Sequence, residues 1–412
     1  MDTTKRPRRT VEAYRDELLA LVEPLVSRET VPLALARGRV LAEPVVSRCD
    51  VPAFDNSAMD GFAVRHADLA EGVVLREVAE VAAGSSLDPA IAAGECVRIM
   101  TGAPVPTDAD TIVPVELVTL ADDGVRIDSF GEVGRHVRRA AEDLRSGDLV
   151  LSAGTVMDAA ALGAAAAAGA GAVVCVGRPR VAVIATGDEL VVPGGELGRG
   201  QIYESNGTWL AASVAALGAE PLVVRPAGDD PAALRVVLDD LAGRCDLIVL
   251  SGGVSVGDHD VVRLALDAVG VELRHVSMQP GKPQGFARWP SASAEPVEVP
   301  VIALPGNPLS TAISFELFVA PVIARLHGCD EQRRWVPAVA LDGWTSPAGR
   351  RQIVPAVLEI TDDGRLGVRP NHRRGSASHM VTALVGADVL AMVDDDTTQA
   401  EPGTTVLVRR IS

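Results

Sequence analysis

One pattern occurs three times between residues 179 and 328: an unbroken apolar run, a polar loop containing glycine, then a helix or turn. The three stretches are RVAVIATGDEL, DLIVLSGGVSVGD and VIALPGNPLSTAISFELF. Apolar runs without alternation are strands buried on both faces, and such strands alternating with helices build a parallel, doubly wound α/β sheet. Ligands of these sheets sit beyond the carboxyl ends of the strands. The three polar loops are therefore expected to converge on one edge. Between them the spacing predicts helices over 207–217, with Asn206 as N-cap, and over 231–242, with Asp230 as N-cap and Pro231 in the first position.

The flanks have a different texture. Residues 10–27 carry leucine and valine at helical spacing and predict a helix that ends near Pro24 to Ser27. From 44 to 150, short valine-rich pieces such as GFAVR, ECVRIM and DTIVPVE are separated by glycine, proline and aspartate, which predicts a β-rich module. MDAAALGAAAAAGAGAVVCVG then reads as a helix of strong propensity, loosened by glycines at its end, in a linking region. After 330, WVPAVALDGW, RQIVPAVLEI and VLVRRIS predict a small β domain. The expected multidomain arrangement is a linking domain (28–46 and 142–176), a β-rich inserted domain (47–141), an α/β domain (10–27 and 177–328) and a C-terminal β domain (329–412).

Charge narrows the function. Asp and Glu number 55 against 38 Lys and Arg, a formal net charge of −17. Such a surface repels nucleic acid and anionic membrane, so neither is an expected partner, and an anionic ligand has to be held by local chemistry. Five scattered cysteines without a CxxC argue against a disulfide framework or zinc ribbon and for a reducing cytoplasm. No apolar run long enough to cross a membrane is expected. HExxH, GxSxG and P-loop signatures are missing, which removes the usual anchors of zinc hydrolysis, serine acyl transfer and ordinary NTP hydrolysis.

Chemistry concentrates in the loops. SGGVSVGDHD offers Ser251, Gly252, Gly253 and Ser255, whose amides and hydroxyls suit an oxyanion, although a tight strand-to-helix turn has the same composition. Asp258 and Asp260, with Asp188 and Glu189, supply carboxylates for Mg²⁺ or for helix caps. LPGNPLS sets Pro305, Gly306 and Asn307 at a helix start, with Asn307 or Ser310 as its cap. MQPGKPQGF holds Gly281 and Lys282, the latter one of two lysines in the chain beside Lys5. An ammonium on a proline-restricted turn is a ligand for phosphate-like groups, or simply a surface lysine.

Together these segments resemble the molybdopterin molybdenumtransferase family, the MoeA and gephyrin E-domain type, from about residue 10 to the end. The carriers are FDNSAMDGFAVR, RIMTGAPVPTDADTIVPVE, TGDEL, GQIYESN, SGGVSVGDHD, PGKP and LPGNP. The resemblance implies insertion of molybdenum from molybdate into adenylated molybdopterin, with Mg²⁺-dependent release of AMP. It further implies a homodimer, a possible molybdopterin adenylyltransferase partner, and an opening helix packed on the α/β domain. Carried over by motif, Asp60, Thr101, Glu189, Asp229, Asp260 and Lys282 are the expected catalytic residues, with Glu189 and Asp260 on Mg²⁺. Ser251, Gly252, Gly253, Ser255, Gly281, Pro305, Gly306, Asn307 and Ser378 would bind substrate, Ser378 on the oxyanion side with Lys282.

The chain departs from the family pattern at four positions. Gln279 and His275 stand where lysines are usual, Ala141 replaces a glycine, and Pro355 aligns with an arginine, although Arg350 and Arg351 lie close by. These losses of positive charge keep open a storage or scaffold protein of the same fold, beside the enzyme. A transferase acting on another phosphorylated ligand is the third reading.

Overall fold

The computed structural model describes residues 8–224, 228–253, 260–291, 298–329, 334–372 and 377–411. The chain forms two compact units, one of Met1–Glu29, Gly38–Val40 and Val176–Ser412, the other of Thr30–Arg37 and Leu41–Cys175.

The first unit is built on six strands: β1 (Arg180–Ala185), β2 (Glu220–Val223), β3 (Leu247–Ser251), β4 (Glu272–His275), β5 (Pro283–Pro290) and β6 (Glu298–Leu304), in the order β2-β1-β3-β6-β5-β4. The four strands β2, β1, β3 and β6 are parallel, as the apolar runs predict. Strands β5 and β4 run antiparallel and extend the sheet. That reversal matters for the site, because β5 begins where the parallel strands end.

Alternation within β1 shows why helices lie on both faces. Val181 and Val183 join one core with Val249, Ile302, Leu210, Val214, Phe315 and Phe318, while Ala182 and Ile184 join another with Ile248, Val301, Leu234 and Leu238. The first core is covered by α1 (Val11–Leu19), α2 (Asn206–Ala216) and α5 (Pro308–Leu326), the second by α3 (Pro231–Ala242) and α4 (Val261–Leu266). Asp230 caps α3 by accepting from the Ala232 N–H, as expected.

Helix α1 packs on the α/β domain despite its distance in sequence: the Tyr14 ring meets Phe318 edge-on at 4.8 Å, and its hydroxyl donates to the Gly285 carbonyl at 3.3 Å. It is shorter than its periodicity predicts, ending at Ala20. Beyond it the Leu25 N–H turns to the Leu326 carbonyl, so the leucines that follow are placed by α5 and not by helical winding. Contrary to the expectation that no run could span a membrane, the 19-residue α5 has the length and composition to do so, but it is 89% buried in the core.

The rest of this unit is a closed five-stranded barrel of β7 (Val336–Ala340), β8 (Arg351–Ile360), β9 (Leu366–Pro370), β10 (Val389–Val393) and β11 (Thr405–Arg410), ordered β8-β9-β7-β11-β10 with β10 returning to β8. Met278–Gln279, just before the PGKP loop, pairs in parallel with Arg351–Gln352 at the start of β8.

The second unit contains the strands Thr111–Pro114, Gly61–Val64, Glu95–Ile99, Val74–Val81, Gly124–Ile127 and Val118–Ala121, neighbours in that order. Phe62 and Val64 face one core, Ala63 the other. Gly61 is required by close pairing, since a Cβ there would stand 2.2 Å from the Val113 carbonyl oxygen. The alanine-rich helix runs over Ala159–Ala167, capped by Asp158, and Ala172–Val176 of the same stretch is a strand.

Candidate active site

The three polar loops close against one another at the carboxyl edge of the sheet. The Thr186 N–H donates to the Ser251 carbonyl at 3.0 Å and the Gly252 N–H to the Leu304 carbonyl at 3.2 Å. Gly252 has φ +102°, and a Cβ there would lie 2.7 Å from the Thr186 carbonyl oxygen, so this turn admits no side chain.

Asn206 does not cap its helix. Ser205 takes the cap position, and the buried carboxylate of Glu204 accepts the Gly207 N–H at 2.6 Å. The Asn206 amide is thereby free to reach across the edge, donating to Ser251 Oγ at 2.9 Å and to the Gly306 carbonyl at 2.8 Å. Thr311 Oγ1 donates to the Pro305 carbonyl at 2.5 Å and lies 3.3 Å from Ser251 Oγ. The Ser251 hydroxyl is thus spent inside this brace, and it is Gly253 that reaches the cavity beyond.

That cavity measures about 410 Å³ and gathers Gly253, Gly281, Lys282, Pro305, Gly306, Asn307 and Ser378, together with Gln279, Ser310 and Arg350. Lys282 arrives because β5 is reversed. Its loop precedes a strand that runs against β6, so it stands beside the end of β6 at Pro305 and Gly306. Ser378 is brought in through its carbonyl, which accepts the Leu309 N–H at 2.9 Å. Beneath the lysine loop the fully buried Gln284 donates from Nε2 to the Gly281 carbonyl and to Ser314 Oγ, both at 2.7 Å. Asn307 occupies the N-cap position of α5 without a side-chain cap bond, so its amide remains available.

Half-buried Lys282 has no carboxylate within ion-pair distance among the described residues. The second cation is Arg350, whose Nη1 donates to Gln279 Oε1 at 2.9 Å. Sequence reasoning noted Arg350 only as a neighbour. Pro355 is buried within β8 opposite Leu390 and adds no charge to the cavity.

The acids lie on the same unit. Asp229 donates its N–H to Asp188 Oδ1 at 3.0 Å and receives the Asp188 N–H on Oδ2 at 3.4 Å, which locks two sheet-edge loops together. Glu189 is exposed, its carboxylate folded over Gly187. Asp260 is buried and caps α4, accepting the Arg263 N–H at 3.0 Å. Ser255 and Asp258 lie outside the described residues. Among the described residues no three His, Cys, Asp or Glu side chains converge as a metal cage. Glu189 and Asp260 would therefore hold Mg²⁺ only with further oxygens supplied by a ligand.

Asp60 and Thr101 belong to the second unit, where they form a pair. The Thr101 N–H and hydroxyl both donate to Asp60 Oδ1 at 2.7 Å. The backbone bond first, then the hydroxyl, holds this carboxyl below the usual range, so it is ionised at neutral pH. Ala141, also in the second unit, has φ +59°.

Comparison with known proteins matches three family descriptions: MoeA N-terminal region (domain I and II) at residues 9–169, probable molybdopterin binding domain at 182–325, and MoeA C-terminal region (domain IV) at 337–410. Molybdopterin molybdenumtransferase 2 of Mycobacterium tuberculosis is 40% identical over 396 residues, covering 92% of this chain and 94% of its own. The molybdopterin molybdenumtransferase of Nostoc sp. is 36% identical over 396 residues, covering 93% and 88%. Among solved structures, a molybdopterin biosynthesis MoeA protein from Pyrococcus horikoshii superposes with a TM-score of 0.76 at 28% identity, covering 98% of this chain and 99% of that one.

Proposed function

Because this chain belongs to the molybdopterin molybdenumtransferase family and is a transferase of molybdenum cofactor biosynthesis, we propose that it inserts molybdenum from molybdate into adenylated molybdopterin and releases AMP in a Mg²⁺-dependent reaction. The observation that carries this reading is the cavity that joins Lys282 and Arg350 to the hydroxyls of Ser310 and Ser378 in a protein of net charge −17. Two fixed cations and neutral donors select a small oxyanion where the remaining surface repels one. Gly253, with Gly306 and Asn307, forms the adjoining wall and suits the pterin phosphate.

Glu189 and Asp260 are the residues that would hold Mg²⁺, which supplies charge neutralisation at the phosphates of the adenylate. Asp260 keeps α4 capped while doing so. Asp60, held ionised by Thr101, acts as a fixed negative charge. The same reading makes the protein a cytoplasmic homodimer supplied by a molybdopterin adenylyltransferase.

A storage or scaffold role is the second reading, favoured by Gln279 and Pro355 standing where the family carries lysine and arginine. Incubating the protein with adenylated molybdopterin, Mg²⁺ and molybdate separates the two. Molybdate-dependent AMP release with metal retained on the pterin is expected; tight pterin binding without either product establishes storage. Lys282→Ala is expected to lower insertion by ~100-fold, the usual cost of removing one oxyanion donor. Undiminished insertion would remove the lysine from the mechanism.

A further inference from the structure

We propose that Gln284 is a positioning residue for the Lys282 ammonium, acting through the carbonyl of Gly281. The inference rests on the reading of the Lys282 cavity as an oxyanion site, and it adds to that site a residue outside the cavity wall. Gln284 lies in β5, two residues after the lysine, and is fully buried where Lys282 is half-buried and lines the cavity.

The amide is committed through its donor end. Nε2 donates to the Gly281 carbonyl and to Ser314 Oγ, both at 2.7 Å, while Oε1 accepts no hydrogen bond among the described residues. Burying an amide with its acceptor unmatched costs stability, and an apolar side chain would fill the same space without that cost. Packing alone therefore does not account for a glutamine here. What its NH₂ group accomplishes is a bridge from the lysine loop to Ser314 in α5.

The loop is seated closely on that bridge. Gly281 has φ +107°, and a Cβ there would stand 2.9 Å from Met278 Cε and 3.0 Å from Ser314 Oγ. On the far side of the lysine, its own carbonyl accepts the Val276 N–H at 3.2 Å. The peptide groups before and after the Lys282 Cα are each held by one hydrogen bond, and because peptide groups are planar, the two together set the direction in which the side chain leaves the backbone. A lysine is a point charge on a flexible stem, so the reach of its ammonium is controlled at the backbone. Without Gln284 the Val276 bond remains, and the loop is free to pivot about it.

The test uses full-length protein labelled with ¹³C-lysine. The chain has two lysines, so it gives two ¹³Cε signals, with Lys5 as internal reference and Lys282→Ala as the assignment. Spectra are recorded without ligand and through a molybdate titration for wild type, Gln284→Met and Ser314→Ala, and thermal unfolding verifies that each variant is folded. Methionine keeps the length of glutamine and cannot donate. In ligand-free Gln284→Met the Lys282 signal is expected to move while that of Lys5 stays, and the half-saturating molybdate concentration is expected to rise about tenfold or more. The KM for molybdate in the insertion assay should rise with it, with kcat changed less. Ser314→Ala keeps the bond to Gly281 and is expected to raise the half-saturating concentration about threefold; it decides the matter if Gln284→Met does not fold. An unmoved ligand-free Lys282 signal, or a molybdate affinity within about twofold of wild type in Gln284→Met, overturns the proposal. If the wild-type Lys282 signal does not respond to molybdate, the oxyanion reading fails instead, and the ligand-free shift alone decides whether Gln284 positions the lysine.

Discussion

Ala141, at the position where the family resemblance implies a glycine, has a left-handed backbone at φ +59°. A β-carbon in that region costs roughly 1–2 kcal/mol, part of which glycine gives back through its freer unfolded chain. Ala141→Gly is therefore expected to stabilise the protein by about 1 kcal/mol, seen as a higher urea midpoint with an unchanged slope. The replacement was visible in the sequence, and its consequence followed once the backbone angle was known. Lys282 was legible for another reason: lysine is rare here, and prolines restrict its loop. Arg350 was not singled out, because an arginine among many carries no such contrast, and only the pairing that brings β8 beside Gln279 gives it a place in the cavity.

Among elements, the parallel strands were legible because full burial leaves an apolar run with nothing polar to interrupt it. Strand direction leaves no such mark, so the reversal of β5 that delivers Lys282 could not be read. Asn206 was misassigned as a cap because its residue type suits one; the helix starts one residue earlier, with Ser205 in the cap position and Glu204 accepting the Gly207 N–H. The brace Asn206 forms instead ties α2 to the loops after β3 and β6, and Asn206→Ala is expected to cost about 1 kcal/mol by removing the donor to the buried Ser251 hydroxyl. Activity should fall more than that loss of stability accounts for, since Gly306 loses its anchor; assays on fully folded variant at low temperature make the comparison. At the end of α5, burial first, and then the charges of Arg39 and Arg178, push the pKa of His327 down from 6.5 to about 4. The folded state thus binds the proton less well than the unfolded chain. Its stabilising contribution is complete above pH ~6.5 and is lost as pH falls towards 4, with a slope approaching ~1.4 kcal/mol per unit. Chemical denaturation across that window should show the loss in wild type and a flatter limb in His327→Gln.

At the scale of the whole molecule, each hydrophobic cluster draws its residues from a single unit. Calorimetry is expected to resolve more than one unfolding transition. Ala141→Gly should raise the transition of the second unit, while acidification through His327 should lower that of the first. A single transition moved equally by both changes would show that the units unfold as one. Inside the first unit no such separation holds between sheet and barrel. Two residues ahead of the lysine loop are already stitched into β8, so the position of the ammonium is set from one side by the sheet and from the other by the barrel. The barrel therefore acts as the outer jaw of a clamp: it cannot shift relative to the sheet without changing the gap in which the oxyanion is gripped.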